Sequence, residues 1–334
     1  MKVDVVIPVY KPGTELLELL DRLKRQTVSL GKIILMNTGQ QFLDALTAGT
    51  GFAEKYPEVE VHHLARKEFD HGGTRHQGVR YTDGDVFVTM TQDAMPARED
   101  LVEKLVDALR EGVAVAYARQ LPRKDSGVLE RISREFNYPA ASQVKNAGDM
   151  ERLGVKTFFC SNVCAAYRRD IYEELGGFIR HTIFNEDMIY AAGAVQAGYS
   201  VAYVAGAEVI HSHTYTNLQQ LRRNFDLGVS QADHPEVFSG ISSESEGKKL
   251  VAQTWRRLGQ EGCRILFPGF CMQCAFKYAG YFLGKHYKGL PRKWVLAIST
   301  NRAYWEGGRP GLTEEKEPEE AGHDPDRARA ACRE

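Results

Sequence analysis

The chain has 334 residues and a mass of 37.5 kDa, is 43% hydrophobic and 26% charged, and sets 43 basic against 44 acidic side chains. This balance excludes a disordered, collagen-like or disulfide-knotted chain, and the length accommodates one large domain or two modest ones. The net charge of −1 conceals two opposed blocks: nine Lys or Arg and one acid from Trp255 to Arg302, net +8, and eight acids with four bases from Leu312 to Glu334, net −4.

In chain order, short β-branched runs alternate with helix-like stretches. Val3–Val9, Lys32–Asn37, Val59–Leu64, Val86–Met90, Val113–Ala118, Val163–Tyr167 and Val201–Val204 read as strands, several of them continuous apolar runs of the kind covered on both faces. Thr14–Gln26 places Leu16, Leu17, Leu20 and Leu23 on one helical face behind a Thr cap, and Glu99–Arg110 does the same with Leu101, Leu105 and Leu109. This is an α/β pattern, a Rossmann-like and mostly parallel sheet with flanking helices, in which ligands gather at the carboxyl ends of the strands.

Beyond about Asn217 the chain becomes helix-like and aromatic-rich. Ser239–Gly247 has the composition of a linker, and Cys263–Gly284 is largely apolar but interrupted by Arg264, Pro268, Gln273 and Lys277, too polar for a spanning helix. The expected organisation is an α/β domain over residues 1–230, a helical, basic and aromatic region over 231–310, and an acidic disordered tail over 311–334. The basic region fits either an anionic membrane surface or packing on the sheet and a homodimer; with no recognisable RNA-binding motif, nucleic acid is not an expected partner. The N-terminus runs into a strand without a basic leader, and the six cysteines follow no framework spacing, so a reducing cytoplasm is expected, with the protein at most peripheral on the inner face of the cell membrane. The lone Cys271-x-x-Cys274 pair reads as buried small thiols among Phe270, Met272 and Phe276 rather than a redox or zinc motif.

Four segments carry residues suited to chemistry. Asp93 follows the strand Val86–Met90, where a carboxylate can help hold a hard cation or simply cap a turn. Glu186 and Asp187 precede the apolar-periodic stretch Met188–Val195; one acid can orient while its neighbour faces a cleft as a general base, or both can complement the helix dipole. His211 and His213 have strand spacing and share a face, as a metal pair or as the solvent side of an edge strand. Phe69–Gly78 joins a Gly pair to Arg75 ahead of a helix, a combination that favours anions but matches neither the Walker nor the dinucleotide spacing.

The order of these elements resembles the family-2 glycosyltransferases of GT-A fold, and among them the bacterial rhamnosyltransferases, over roughly Lys2–Gly228. The likeness is carried by Val5-Val6-Ile7-Pro8-Val9-Tyr10, by Asn37-Thr38-Gly39 where the family has Asp-Asp-Gly-Ser, and by Phe69–Gly78 against a His-Gly-Gly-Thr-Arg-Asn-x-Gly stretch. It continues through Asp83-Gly84-Asp85 to Ala94, then Gly176-Gly177-Phe178 and Glu186-Asp187. Two departures stand out: the family's D-x-D is Thr91-Gln92-Asp93, and Asn37 replaces the carboxylate that faces the nucleobase.

The resemblance implies inverting transfer of a sugar, most readily rhamnose from dTDP-rhamnose, to a hydroxyl of a glycan or lipid-linked precursor of a cell-surface polysaccharide such as an O-antigen. It implies Asp187 as base with Glu186 orienting it. Asp93 with Mg²⁺ or Mn²⁺, His211 and His213 completing the metal shell, would neutralise the diphosphate, and Pro8, Tyr10, Asn37, His71, Arg75 and Gln92 would contact the donor. The alternatives are another donor, a UDP- or GDP-hexose, or a non-catalytic nucleotide-sugar or glycan-binding module.

Overall fold

A computed structural model describes residues 1–213, 215–239 and 244–306. Its centre is a nine-stranded sheet: β1 (Val3–Tyr10), β2 (Leu30–Thr38), β3 (Val59–Leu64), β4 (Val86–Met90), β5 (Met95–Pro96), β6 (Val113–Leu121), β7 (Gln143–Lys145), β8 (Cys164–Arg168) and β9 (Ser200–Ile210). The order is β3-β2-β1-β4-β8-β6-β9-β5, with β7 also on β9. The sheet is mixed. β1, β2, β3 and β4 are mutually parallel, β8 lies antiparallel between β4 and β6, and β9 runs parallel to β6. Because β8 reverses twice, β6 and β9 still point the same way as β1 to β4. Six strands therefore deliver their carboxyl ends to one rim, and β8 starts there.

The alternation of side chains along β1 supplies both cores. Val3, Val5, Ile7 and Val9 pack with Leu16, Leu19, Leu20 and Leu23 of α1 (Thr14–Lys24) and with Leu101, Val102 and Leu105 of α2 (Leu101–Asp107). Val6, Ile34 and Met36 face the opposite core, where Phe87, Tyr167, Tyr172, Phe178 and Tyr190 pack ring on ring. The cap of α1 is Gly13 rather than a threonine side chain. Between β1 and its neighbours, the wholly buried Asp4 accepts backbone N–H bonds from Lys32 at 2.7 Å, Asp83 at 2.8 Å and Gly84 at 2.7 Å, which satisfy its carboxylate oxygens.

The C-terminal helices are continuous with this body. The expected boundary at residue 230 falls inside α3 (Asn217–Asp233), and the expected linker is already helical from Glu244, where α4 (Glu244–Gln260) begins. α3 lies along α5 (Phe267–Lys285) with backbones almost touching: a Cβ on Gly280 would stand 2.1 Å from the Leu221 carbonyl oxygen, and one on Gly284 2.1 Å from that of Phe225. Phe225 and Val229 of α3 then pack with Ile183 and with Val295 of α6 (Arg292–Ile298). Cys271 is exposed and Cys274 half-buried, so the pair is not the sunken thiol pair expected of it; α5 turns its glycine face inward and Cys271 outward. The acidic tail lies outside the described residues.

Among the described residues no helix is long and apolar enough to cross a membrane. The glycine contact gives a direct test: Gly284→Leu should push α3 and α5 apart and cost about 1–3 kcal/mol, read as a lower urea midpoint in equilibrium unfolding.

Candidate active site

Two clusters form at the carboxyl rim of the sheet. The first is built from Asp93, just past β4, and His211 and His213, just past β9. Asp93 is brought beside the two histidines because β5, directly after it, pairs antiparallel with the end of β9, Met95 opposite Ile210. Asp93 Oδ2 lies 3.0 Å from His213 Nε2 and 3.6 Å from His211 Nε2, and the two imidazole nitrogens are 3.0 Å apart. All three potential ligand atoms lie within 4.8 Å of one another.

His211 Nδ1 is 3.0 Å from Gln120 Oε1, the same atom that accepts from Arg134. Arginine can only donate, so the Gln120 atom it meets must be the oxygen, and His211 Nδ1 must donate to it. In the neutral ring Nε2 is then the lone pair, and it faces Asp93 and His213. Burial pushes the Asp93 carboxyl up, but hydrogen bonds from His211 and His213, made when those rings carry a proton on Nε2, outweigh it and hold the group well below the ordinary carboxylate range. Burial also lowers the His211 pKa, favouring the neutral imidazole that a metal requires. One carboxylate oxygen and two imidazole nitrogens converging in this way fit a divalent transition cation.

The second cluster starts at α7 (His71–Arg80). Its cap, Asp70, accepts from the backbone N–H groups of Gly72 and Gly73 through Oδ1 and from Thr182 through Oδ2, tying the helix to the loop before Glu186. The glycines are required by proximity: a Cβ on Gly72 would sit 1.9 Å from the Ile179 carbonyl oxygen, and one on Gly73 2.5 Å from that of Arg180. Asn185, in the left-handed conformation at φ 67°, turns the chain into α8 (Glu186–Gln196), and its amide donates to Ser230 of α3, which in turn donates to the Phe184 carbonyl.

Glu186 is buried against Arg75 at 3.0 Å and also accepts from the Asn162 amide at 3.0 Å. Asn162 Oδ1 is held by the hydroxyls of Thr89 and Tyr167, both at 2.7 Å, while its backbone N–H donates to Asp187 Oδ2 at 2.9 Å. The Met188 N–H satisfies Asp187 Oδ1 at 2.8 Å. Although burial alone would raise both pKa values, the charge of Arg75 keeps Glu186 low, and Glu186 stays ionised. Asp187, half-buried, is pushed up to about 7, first by desolvation and then by repulsion from Glu186.

The remaining expected site residues are distributed unevenly. Pro8 is half-buried in β1, and Tyr10, 40% exposed, meets Phe42 edge-on at 6.0 Å with Lys11 and Arg66 over its ring. Gln92 is spent on the protein itself, accepting from the Tyr10 N–H at 2.9 Å and donating to its carbonyl at 3.0 Å, so it splices β1 to β4. Asn37 is wholly buried, its amide on His63 Nδ1 at 3.0 Å and its carbonyl oxygen without a partner. In this conformation it presents no open face to a base.

Arg75 is 6% exposed and paired with Glu186, not with an open phosphate site as its loop suggested; the helix turns it inward onto α8. His71 packs between Phe69 and Phe184. Sequence reasoning missed Asn162 and Gln120, neither of which stands in a recognisable motif, and missed Phe42, Lys11 and Arg66 around Tyr10.

The sequence matches the model of glycosyl transferase family 2 over residues 4–176. It is 38% identical over 310 residues to the O-antigen chain rhamnosyltransferase RfbN of Salmonella typhimurium, covering 91% of this chain and 96% of that one. To the O-antigen chain rhamnosyltransferase WbaN of Salmonella anatum it is 34% identical over 308 residues, 90% and 95% of the two chains. Among solved structures, the mannosyltransferase PcManGT of Pyrobaculum calidifontis, in complex with GDP-Man and Mn²⁺, superposes with a TM-score of 0.53 at 17% identity over 91% of this chain and 86% of that chain, a likeness of fold. The expected GT-A architecture is thereby met, the non-catalytic alternative is set aside, and the chain belongs to glycosyl transferase family 2 as a glycosyltransferase.

Proposed function

We propose that this enzyme transfers rhamnose from dTDP-rhamnose to a hydroxyl of a lipid-linked O-antigen precursor, with inversion at the anomeric carbon. The observation that carries the chemistry is Asp187, a carboxylate with a raised pKa beside an ionised Glu186, at the same sheet rim as Asp93 and its two histidines. The choice of rhamnose is supported by the names of the two Salmonella relatives, which match nearly the whole chain.

In this reading the acceptor oxygen forms a bond to the anomeric carbon while the bond from that carbon to the nucleoside diphosphate breaks. The Asp187 carboxylate accepts the hydroxyl proton, a role worth roughly 10²–10⁴-fold in general-base catalysis. Glu186, held by Arg75 and Asn162, stays charged and positions α8 and the pKa of its neighbour. Arg75 acts through Glu186 rather than on the donor. Asp93, His211 and His213 would hold a divalent cation, Mn²⁺ more readily than Mg²⁺ because two ligands are imidazoles. A bound cation supplies charge neutralisation to the departing diphosphate. Tyr10, with Pro8 behind it and Phe42 at its edge, offers the ring surface for the nucleoside, and His71 borders the cleft toward the donor.

The C-terminal helices support a peripheral location on the inner face of the cell membrane. Trp255, Ile265, Met272, Tyr278, Phe282 and Trp294 are exposed there, interleaved with exposed Arg256, Arg264, Lys288 and Lys293. Aromatic and cationic side chains side by side suit an anionic leaflet better than a dimer interface, whose core is depleted of charge.

Asp187→Asn should abolish transfer while leaving dTDP affinity within about twofold, because the amide keeps the shape but cannot take the proton; wild-type turnover in that variant would overturn the assignment. Since the base works deprotonated, kcat/KM should rise with pH through an acid limb well above the usual carboxylate range, and Glu186→Gln should move that limb to lower pH in a pH–rate profile by removing the repelling charge. Asp93→Ala should weaken Mn²⁺ binding by at least about tenfold in isothermal calorimetry; undiminished Mn²⁺ affinity would exclude this trio as the metal site.

A further inference from the structure

A cavity of about 700 Å³ opens between the sheet rim and the C-terminal helices, bordered by His71 and lined by basic side chains that the reading above gives no role. Four guanidinium groups line it: Arg66 from the turn before α7, Arg222 and Arg223 from α3, and Arg302 from the last described helix, α9 (Arg302–Glu306). None of the four forms an ion pair with an acid among the described residues. Three are nevertheless held in place by uncharged partners. Arg223 stacks over Phe184 at 4.8 Å and Tyr215 at 5.8 Å, Arg66 lies over Tyr10 at 5.9 Å, and Arg302 Nε donates to the Leu296 carbonyl at 3.1 Å.

The acid in the wall, Asp226, feels the charge of Arg223 but forms no ion pair with any of the four. It is 2% exposed and its Oδ2 is taken by the N–H and hydroxyl of Thr300, while burial raises its pKa. Collecting four like charges around one space is unfavourable unless an anion shares it, and planar guanidinium forks match phosphate oxygens.

The cavity also touches both halves of the site. Its wall includes Ile183 and Phe184, directly before Asn185-Glu186-Asp187, and Tyr215, whose ring is 5.2 Å from that of His213. The cavity therefore borders the segments that carry the proposed base and the proposed metal group, while neither group lines it. Arg302 and the Ser299–Thr300 turn close the cavity from the C-terminal side, so the sheet domain alone would leave it open.

We infer that this arginine cavity, which none of Asp93, His211 and His213 lines, is a subsite completed by the C-terminal helices for the diphosphate of a lipid-linked acceptor. The inference rests on the glycosyltransfer reading above, but its test does not need turnover. Arg222 and Arg302 are exposed, so the double variant Arg222→Gln/Arg302→Gln should fold, as a wild-type thermal melt would verify.

With EDTA present, inorganic pyrophosphate should bind the wild-type chain in calorimetry, and the double variant at least about tenfold more weakly, with Arg222→Lys/Arg302→Lys recovering part of the loss. Two further pairs separate the sources. The double variant should bind farnesyl diphosphate more weakly with farnesol unaffected, whereas selective weakening of dTDP relative to thymidine with farnesyl diphosphate unchanged would overturn the acceptor assignment. Pyrophosphate affinity equal in wild type and double variant, or absent from the wild type, would overturn the inference. Loss of transfer in Asp187→Asn with pyrophosphate binding intact would leave both standing, whereas full activity in Asp187→Asn would sink the base assignment alone.

Discussion

The contact on which the site depends is the buried ion pair between Arg75 and Glu186. A carboxylate removed from water normally takes up a proton, and two adjacent carboxyls share the penalty. Here the guanidinium and the Asn162 amide both address Glu186, so the negative charge settles on that residue and the proton is left to Asp187. Breaking a buried pair leaves one uncompensated charge, which is why such an arrangement is usually enclosed on all sides. The enclosure in this protein is the aromatic core: Tyr167 supports Asn162 from within that core, and the close-packed glycines of α7 let the Asp70 cap and the 179–182 loop shut over it.

The topology explains why two clusters far apart in sequence meet. The antiparallel insertion of β8 between two parallel blocks preserves the direction of β6 and β9, so the end of β9 returns to the level of β4. A uniformly parallel order would also place carboxyl ends at one rim, but it would not bring the start of a strand there. Asn162 arrives at the site because β8 begins where its neighbours finish. The same reversal therefore supplies the residue that both acids lean on.

Much of the architecture was legible from period and composition. Every run read as a strand is one, with ends displaced by a few residues, and the His211–His213 pair shares a side even though regular β9 ends at Ile210, because the extended spacing continues past the last ladder bond. What was not legible is long-range. Arg75 reads as an anion ligand from its glycine-rich neighbourhood, yet whether it faces out or toward Glu186 depends on 110 intervening residues. Asn37 reads as a base contact, and its burial follows from His63 on the neighbouring strand. β5 and β7, two and three residues long, carry no periodic signal at all. Charge counting located an excess of cations, but three of the four guanidiniums in the cavity come from outside that block and the fourth, Arg302, stands at its edge, and only the fold assembles them.

Helix α3 joins these observations mechanically. It begins four residues after His213 and, within a rod of about 25 Å at 1.5 Å per residue, reaches Ser230, which is fastened to Phe184 and Asn185 ahead of the acid pair. Its outer side is clamped against α5 through glycines that leave no room to slide. The separation between the proposed cation-holding end and the proposed base is thus a ruled length rather than an adjustable gap. A family member adapting to a bulkier acceptor would have to alter the helices stacked behind this strut, so divergence in acceptor should be written in the C-terminal third of the chain, while the rim of the sheet changes little.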